Sequence, residues 1–311
     1  MTDLNCLVSP AELLHLGSML GDPSTDLSPL RGPSAGSVDM ARLRAAGLVE
    51  GDALTDAGAQ AMRTLARTKA YAALVLMGGS TFEHAVYLDG TARVSLTAEG
   101  DDLRLQSPAP DPAALLAIVF GEGDSPGVEL DAQLTVPEAC VLLGLIDLQR
   151  RRTLEAILDG VVVLTDAIPL ADLRAWLTAP APSMQWLAPM AREAGGAHLD
   201  LGSIDGAVAS LAADHAVTVT ADGIVPSELL LAVASRMLVL SAVARVRAAR
   251  MDGDAAQIAD IYVAQSQRGQ HLLWEIDGAQ QVQLRCLDAA ALGTTLTPLL
   301  TNADALVLVP A

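Results

Sequence analysis

The chain has 311 residues, of which 51% are hydrophobic and only 3% aromatic, and it carries a formal charge of −18. That length can bury a core for one large domain or two smaller ones, and the apolar content excludes a disordered chain. Acidity on this scale works against a duplex reader, because affinity for the phosphate backbone comes from positive charge, although a local basic patch is compatible with an acidic total.

The opening MTDLNCLVSPAELL lacks a basic segment followed by a long apolar run, so it does not read as a signal peptide. From Pro10 onward, apolar residues recur at helical spacing, with the proline in the first turn, where its missing N–H costs nothing. The stretch ARLRAAGLVEGDALTDAGAQAMRTLAR, Ala41 to Arg67, has the outline of a winged-helix reader. A helix carrying Leu43 ends near Gly47, an apolar step follows at Leu48 and Val49, then a Gly-Asp turn. Thr55 and Asp56 are the candidate N-caps of the next helix. Arg42, Arg44, Arg63 and Arg67 are nearly balanced by Glu50, Asp52 and Asp56. From Ala70 to Ser107 the pattern becomes strand-like with period 2, and Asp89-Gly90 and Gly100-Asp101 are hairpin turn candidates. A helix over Asp111–Gly121 closes this half.

After an acidic, Gly- and Pro-rich linker the same order returns. LTVPEACVLLGLI, from Leu134, aligns with the opening helix, so that Pro10 matches Pro137, Leu16 matches Leu143 and Gly17 matches Gly144. VASLAADHAV, from Val208, aligns with MARLRAAGLV, which sets His215 against Gly47 and costs the copy its winged-helix look. PSELLLAVASRM aligns with TDAGAQAMRTLAR. LSAVARVRAAR and the segments after it match the first meander, with turns at Arg268-Gly269 and Asp277-Gly278, and DAAALGTTLTPLLT is the closing helix. Each half therefore reads as three helices, an antiparallel meander and a helix. The fold class is α+β, a duplicated pseudo-two-fold architecture of antiparallel meander sheets flanked by helical bundles. The halves are residues 1–121 and 134–311, joined by a linker over 122–133.

The second half is longer by about 40 residues, the size of a helical hairpin. This insert, at about 147–200, holds Trp176 and Trp186, with Met184, Leu187 and Met190 close by. Tryptophan is enriched among interface anchors and methionine on adaptable surfaces, so these five residues are the candidate partner-binding set. The alternative is that the insert packs on its own neighbours. Arg150-Arg151-Arg152, the one basic run, reads as the polar face and C-terminal end of a helix.

No motif for catalysis or cofactor binding is present. GxGxxG, GxxxxGK[ST], GxSxG and HExxH are all missing. Cys6, Cys140 and Cys286 are far apart and odd in number, which suits buried apolar thiols in a reducing compartment better than disulfides or zinc. His15, His84, His198, His215 and His271 have no second histidine or cysteine at ligand spacing, and Asp101-Asp102 sits where turn chemistry expects aspartate. No catalytic residue, metal or cofactor is expected. The apolar stretch LLLAVASRMLVLSAVARV is broken by Ser235 and Arg236 and reads as a helix running into a strand, so no membrane span is expected either.

The order of elements, the length and the two unequal halves resemble the EspG proteins, cytosolic chaperones of type VII secretion systems. The likeness lies in SPAELLHLGSML, in RLRAAGLVEGDALTDAGAQAMRTLART and in GTARVSLTAEGDDLRLQSP, and it covers the N-terminal half best. The resemblance implies a central sheet flanked by helical bundles and binding to the apolar tip of a helical PE–PPE pair, with neither catalysis nor a cofactor. The expectation is thus a non-enzymatic, cytoplasmic secretion chaperone or adaptor that holds a helical protein substrate. The alternatives are a winged-helix-containing regulator, with nucleic acid the less expected partner, and an enzyme whose site is assembled from scattered residues.

Overall fold

The computed structural model describes residues 3–32, 36–77, 82–121, 127–161, 167–179, 185–196, 199–253, 255–276 and 281–301. The first half runs β1 (Leu4–Val8), α1 (Pro10–Leu20), α2 (Met40–Ala45), β2 (Val49–Glu50), β3 (Ala53–Leu54), α3 (Asp56–Ala66), β4 (Ala70–Met77), β5 (Phe82–Asp89), β6 (Ala92–Glu99), β7 (Asp102–Ser107) and α4 (Pro112–Phe120). The second runs β8 (Asp131–Thr135), α5 (Val136–Asp159), α6 (Leu170–Thr178), α7 (Leu187–Ala194), α8 (Leu201–Ala213), β9 (Val217–Thr220), β10 (Gly223–Pro226), α9 (Glu228–Arg236), β11 (Leu240–Asp252), β12 (Ala255–Ser266), β13 (His271–Ile276), β14 (Gln281–Leu287) and α10 (Ala289–Thr301). Without α6 and α7, the two lists have the same order. The fold is the α+β duplication expected, with an added strand at the head of each half: β8 takes up the last residues of the expected linker.

The chain forms two compact units from interleaved segments. The first contains Met1–Val119, Arg245–Ala259 and Gly293–Leu308, and the second Phe120–Ala244, Asp260–Leu292 and Val309–Ala311. In the first unit the sheet order is β1-β7-β6-β5-β4, followed by the C-terminal part of β11 and the N-terminal part of β12. In the second it is the N-terminal part of β11 and the C-terminal part of β12, then β13-β14-β8. The described neighbours are antiparallel, from Leu4 opposite Ser107 to Gln281 opposite Thr135. The expected turns at Gly90, Gly100 and Gly269 close hairpins, while Asp277-Gly278 lies outside the described residues.

Local chemistry sets the helix starts. Ser9 and Thr135 cap α1 and α5 in reciprocal boxes with Glu12 and Glu138, and a proline follows in the first turn of each. Thr55 and Ser227 cap α3 and α9. Leu16, Leu43, Leu48, Met62 and Leu65 pack onto Val94, Leu96 and Leu105 to form a core under the first sheet.

The winged-helix outline is present in both halves, which corrects the expectation that the copy lost it. Helix α2, hairpin β2–β3 and α3 recur as α8, hairpin β9–β10 and α9. The turn between helix and hairpin needs a left-handed residue. Gly47 supplies it at φ 72°, and His215 takes the same conformation at φ 60° despite its side chain.

Helices α1 and α5 share a second device. A Cβ on Gly17 would lie 3.2 Å from Leu30, and one on Gly144 would lie 2.9 Å from Leu177 and 3.1 Å from Leu173. Each glycine is a notch that admits leucine: from the chain after α1 in the first half, and from α6 in the second.

Candidate partner-binding surface

The longest helix, α5, is apolar around most of its circumference from Val136 to Leu148. A helix of that kind must be surrounded, and α6, α7, α8 and α9 all pack against it. Within this buried stretch stand two charges. Asp147 is fully buried and Arg150 is 2% exposed, and Arg150 Nη1 donates to Asp147 Oδ1 at 2.7 Å. The other carboxylate oxygen, Oδ2, accepts the N–H of Ala188 at 2.9 Å.

That second bond crosses from α5 to the N-terminus of α7. Residue Trp186 occupies the cap position of α7 and has no capping side chain, so Asp147 supplies the missing acceptor from another helix. Burial pushes the Asp147 carboxyl up to about 6, against the pull of Arg150 and of the Ala188 and Leu187 N–H groups. Burial likewise lowers Arg150. The far end of α7 is held by Arg192, which donates to the carbonyls of Leu177 and Ala179 at the end of α6.

Arg150 also lies 5.3 Å from the centre of the Trp186 ring. Trp186 meets Trp176 edge to face at 5.1 Å, and the Arg151 guanidinium stands 6.0 Å from the Trp176 ring. The four side chains form a ladder, Arg150–Trp186–Trp176–Arg151, leading from the buried ion pair to the surface, with both indoles half-buried. Beside Trp176 an open groove of about 550 Å³ runs between α5 and α6, lined by Leu148, Arg151, Arg152, Glu155, Asp172, Ala175 and Ala179.

Of the five candidate residues, the structure brings Trp176 and Trp186 together. Leu187 is fully buried and Met190 is 6% exposed, so these two face the packing against α5 instead of offering surface. Met184 lies outside the described residues. The Arg150–Arg152 run sits mid-helix and not at a C-terminal end, and only part of it lies on the polar face. Arg150 is buried, Arg151 pairs with Glu155 at 2.8 Å, and Arg152 donates to the Ala167 carbonyl. Sequence reasoning missed Asp147. Its signal was a single acid inside the apolar run CVLLGLIDLQ, with an arginine one turn later.

His84 Nδ1 pairs with Thr97 Oγ1 at 2.8 Å, and His271 Nε2 with the Phe120 carbonyl at 3.2 Å; burial lowers both imidazoles. The three thiols are buried and raised, Cys140 and Cys286 to about 12, which keeps them protonated and unreactive. His198 lies outside the described residues. Among the described residues, no three His, Cys, Asp or Glu side chains come together as a metal-holding group. No described helix is long and apolar enough to cross a membrane. Three of the four arginines of the first winged-helix outline are drawn onto acids, Arg42 onto Asp102, Arg44 onto Asp52 and Arg67 onto Asp22, which leaves Arg63. The face thus lacks the concentration of unopposed charge that a duplex requires.

No family model matches the chain, and neither does any curated protein. Among solved structures it is similar to the Mycobacterium tuberculosis type VII secretion chaperone EspG5, which was determined in complex with a PE25–PPE41 dimer. The two share 15% sequence identity and superpose with a TM-score of 0.52, over 96% of this chain and 95% of that one. End to end, the chain has an EspG-like fold.

Proposed function

We propose that this protein is a non-enzymatic secretion chaperone or adaptor that holds a helical protein substrate in the cytoplasm before export. The observation that carries the reading is the EspG5 likeness, which spans nearly all of both chains. By that analogy the substrate is a PE–PPE-like helical pair. A tryptophan lining a groove is a common anchor for an apolar helix face, and we place the contact surface at Trp176, which lines the groove, and at Trp186 packed against it.

The test is a pulldown from a lysate of the native host, read by mass spectrometry, with wild type and with Trp176→Ala/Trp186→Ala. The expected result is recovery of one helical secreted protein by wild type and its loss with the double variant. Recovery of no such protein by wild type would remove the chaperone reading. Equal recovery by both would keep the chaperone and move its surface elsewhere.

A further inference from the structure

We infer that Asp147 and Arg150 are positioning residues for the Trp176–Trp186 surface: they set the orientation of the two indoles from inside the helical layer. The inference rests on the proposed function only for what the surface binds; the positioning stands on geometry alone.

Trp186 is fixed at two points. Its backbone leads directly into the first turn of α7, and that turn is anchored by the bond from Ala188 N–H to Asp147 at 2.9 Å. Its ring has the Arg150 guanidinium beside it, 5.3 Å from the centroid. Arg150 is held in turn by Asp147 at 2.7 Å and reaches toward the Leu238 carbonyl, 3.5 Å away, just before β11. Trp176, on α6, is then aligned by its edge-to-face contact with Trp186. Each link is directional. The carboxylate must present one oxygen to α7 and the other to the arginine, and only a planar guanidinium offers the indole a flat charged face.

A purely stabilising role would not require this arrangement. A buried ion pair is replaceable by apolar residues at little or no cost in stability, because the desolvation of two charges offsets their attraction. What such residues could not reproduce is the angle between the indoles.

The readout is the coupled-indole band in the ultraviolet circular dichroism spectrum, which depends on the distance and angle between Trp176 and Trp186. Trp176→Phe assigns the band by deleting it. Asp147→Asn/Arg150→Met removes both charges together, and Arg150→Lys keeps the ion pair while removing the flat face. The expected result is that both variants keep cooperative unfolding and lose the band, and that recovery of the helical protein captured by wild type falls about tenfold, the effect of disturbing one interface anchor. An unchanged band in Arg150→Lys and in the double variant would overturn the inference. Should the double variant fail to fold, Arg150→Lys decides alone. A lost band with undiminished capture would leave the positioning intact and refute the assignment of the binding surface.

Discussion

At the residue scale, three residues, Asp147, Arg150 and His215, occupy positions that elementary rules disfavour. Asp147 and Arg150 are buried charges, and they are tolerable only as a pair. Replacing Asp147 alone by Asn should therefore cost about 3–5 kcal/mol, because it strands a buried guanidinium. The double variant Asp147→Asn/Arg150→Met should recover most of that loss; urea denaturation of wild type, single and double variants checks it. His215 is exposed and left-handed. Such a conformation costs a non-glycine residue about 1–2 kcal/mol, and glycine returns part of the gain as chain entropy. His215→Gly should thus stabilise the protein by about 0.5–1 kcal/mol. A lower melting temperature for His215→Gly would mean that the imidazole makes an unrecognised contact. His84 and His271 set a pH dependence of known sign. Burial lowers both in the folded state, so the unfolded chain takes up protons first as the pH falls. Their stabilising contribution is complete above the ordinary histidine value of about 6.5 and is lost progressively below it. His271→Gln should therefore gain stability relative to wild type between pH 8 and pH 5.5. An offset that does not vary with pH would show that His271 takes up its proton equally in the folded and the unfolded chain.

At the scale of elements, glycines with the same local conformation predict opposite outcomes. Gly144, within α5, is a notch for Leu173 and Leu177, whereas a Cβ on Gly206, within α8, would meet nothing within 4 Å. Alanine is favoured over glycine by about 1 kcal/mol inside a helix, and overpacking a filled core costs about 1–3 kcal/mol. Gly206→Ala should raise stability by up to about 1 kcal/mol and Gly144→Ala should lower it, both measured by thermal unfolding. The repeat is legible because its signals are local: proline in the first turn, Thr55 as a cap, period-2 runs and glycine turns. Strands β1 and β8 were not legible. Each is five residues long, and each pairs with a strand about a hundred or more residues away in the chain, so no nearby alternation announces it. The copy of the winged-helix outline is hidden because His215 reads as the loss of a glycine, although local turn bonds, from His215 N–H to the Ala212 carbonyl and from Ala216 N–H to the Leu211 carbonyl, accompany its glycine-like conformation.

At the scale of the whole molecule, the fold could be read from the order of elements, but the candidate surface could be read only in part. Composition pointed to the insert. Burial then divided the named residues, retaining Trp176 and Trp186 while Leu187 and Met190 turned inward. Periodicity over eight residues of α7 cannot say which side of so short a helix meets α5, and nothing local in Asp147 marks it as the cap of another helix. The interleaving of segments, in turn, determines when the protein can be finished. The first unit needs Arg245–Ala259 and Gly293–Leu308 as well as its own N-terminal stretch. On the ribosome, Met1–Val119 must wait while most of the remaining chain is made, and β4 waits without its neighbour β11. During that interval it is an open strand edge of the kind that draws other chains. A nascent chain stalled after Val119 should be cut readily by protease, and one released at full length should resist. A protein whose proposed task is to shield the surfaces of others is itself exposed for most of its own synthesis.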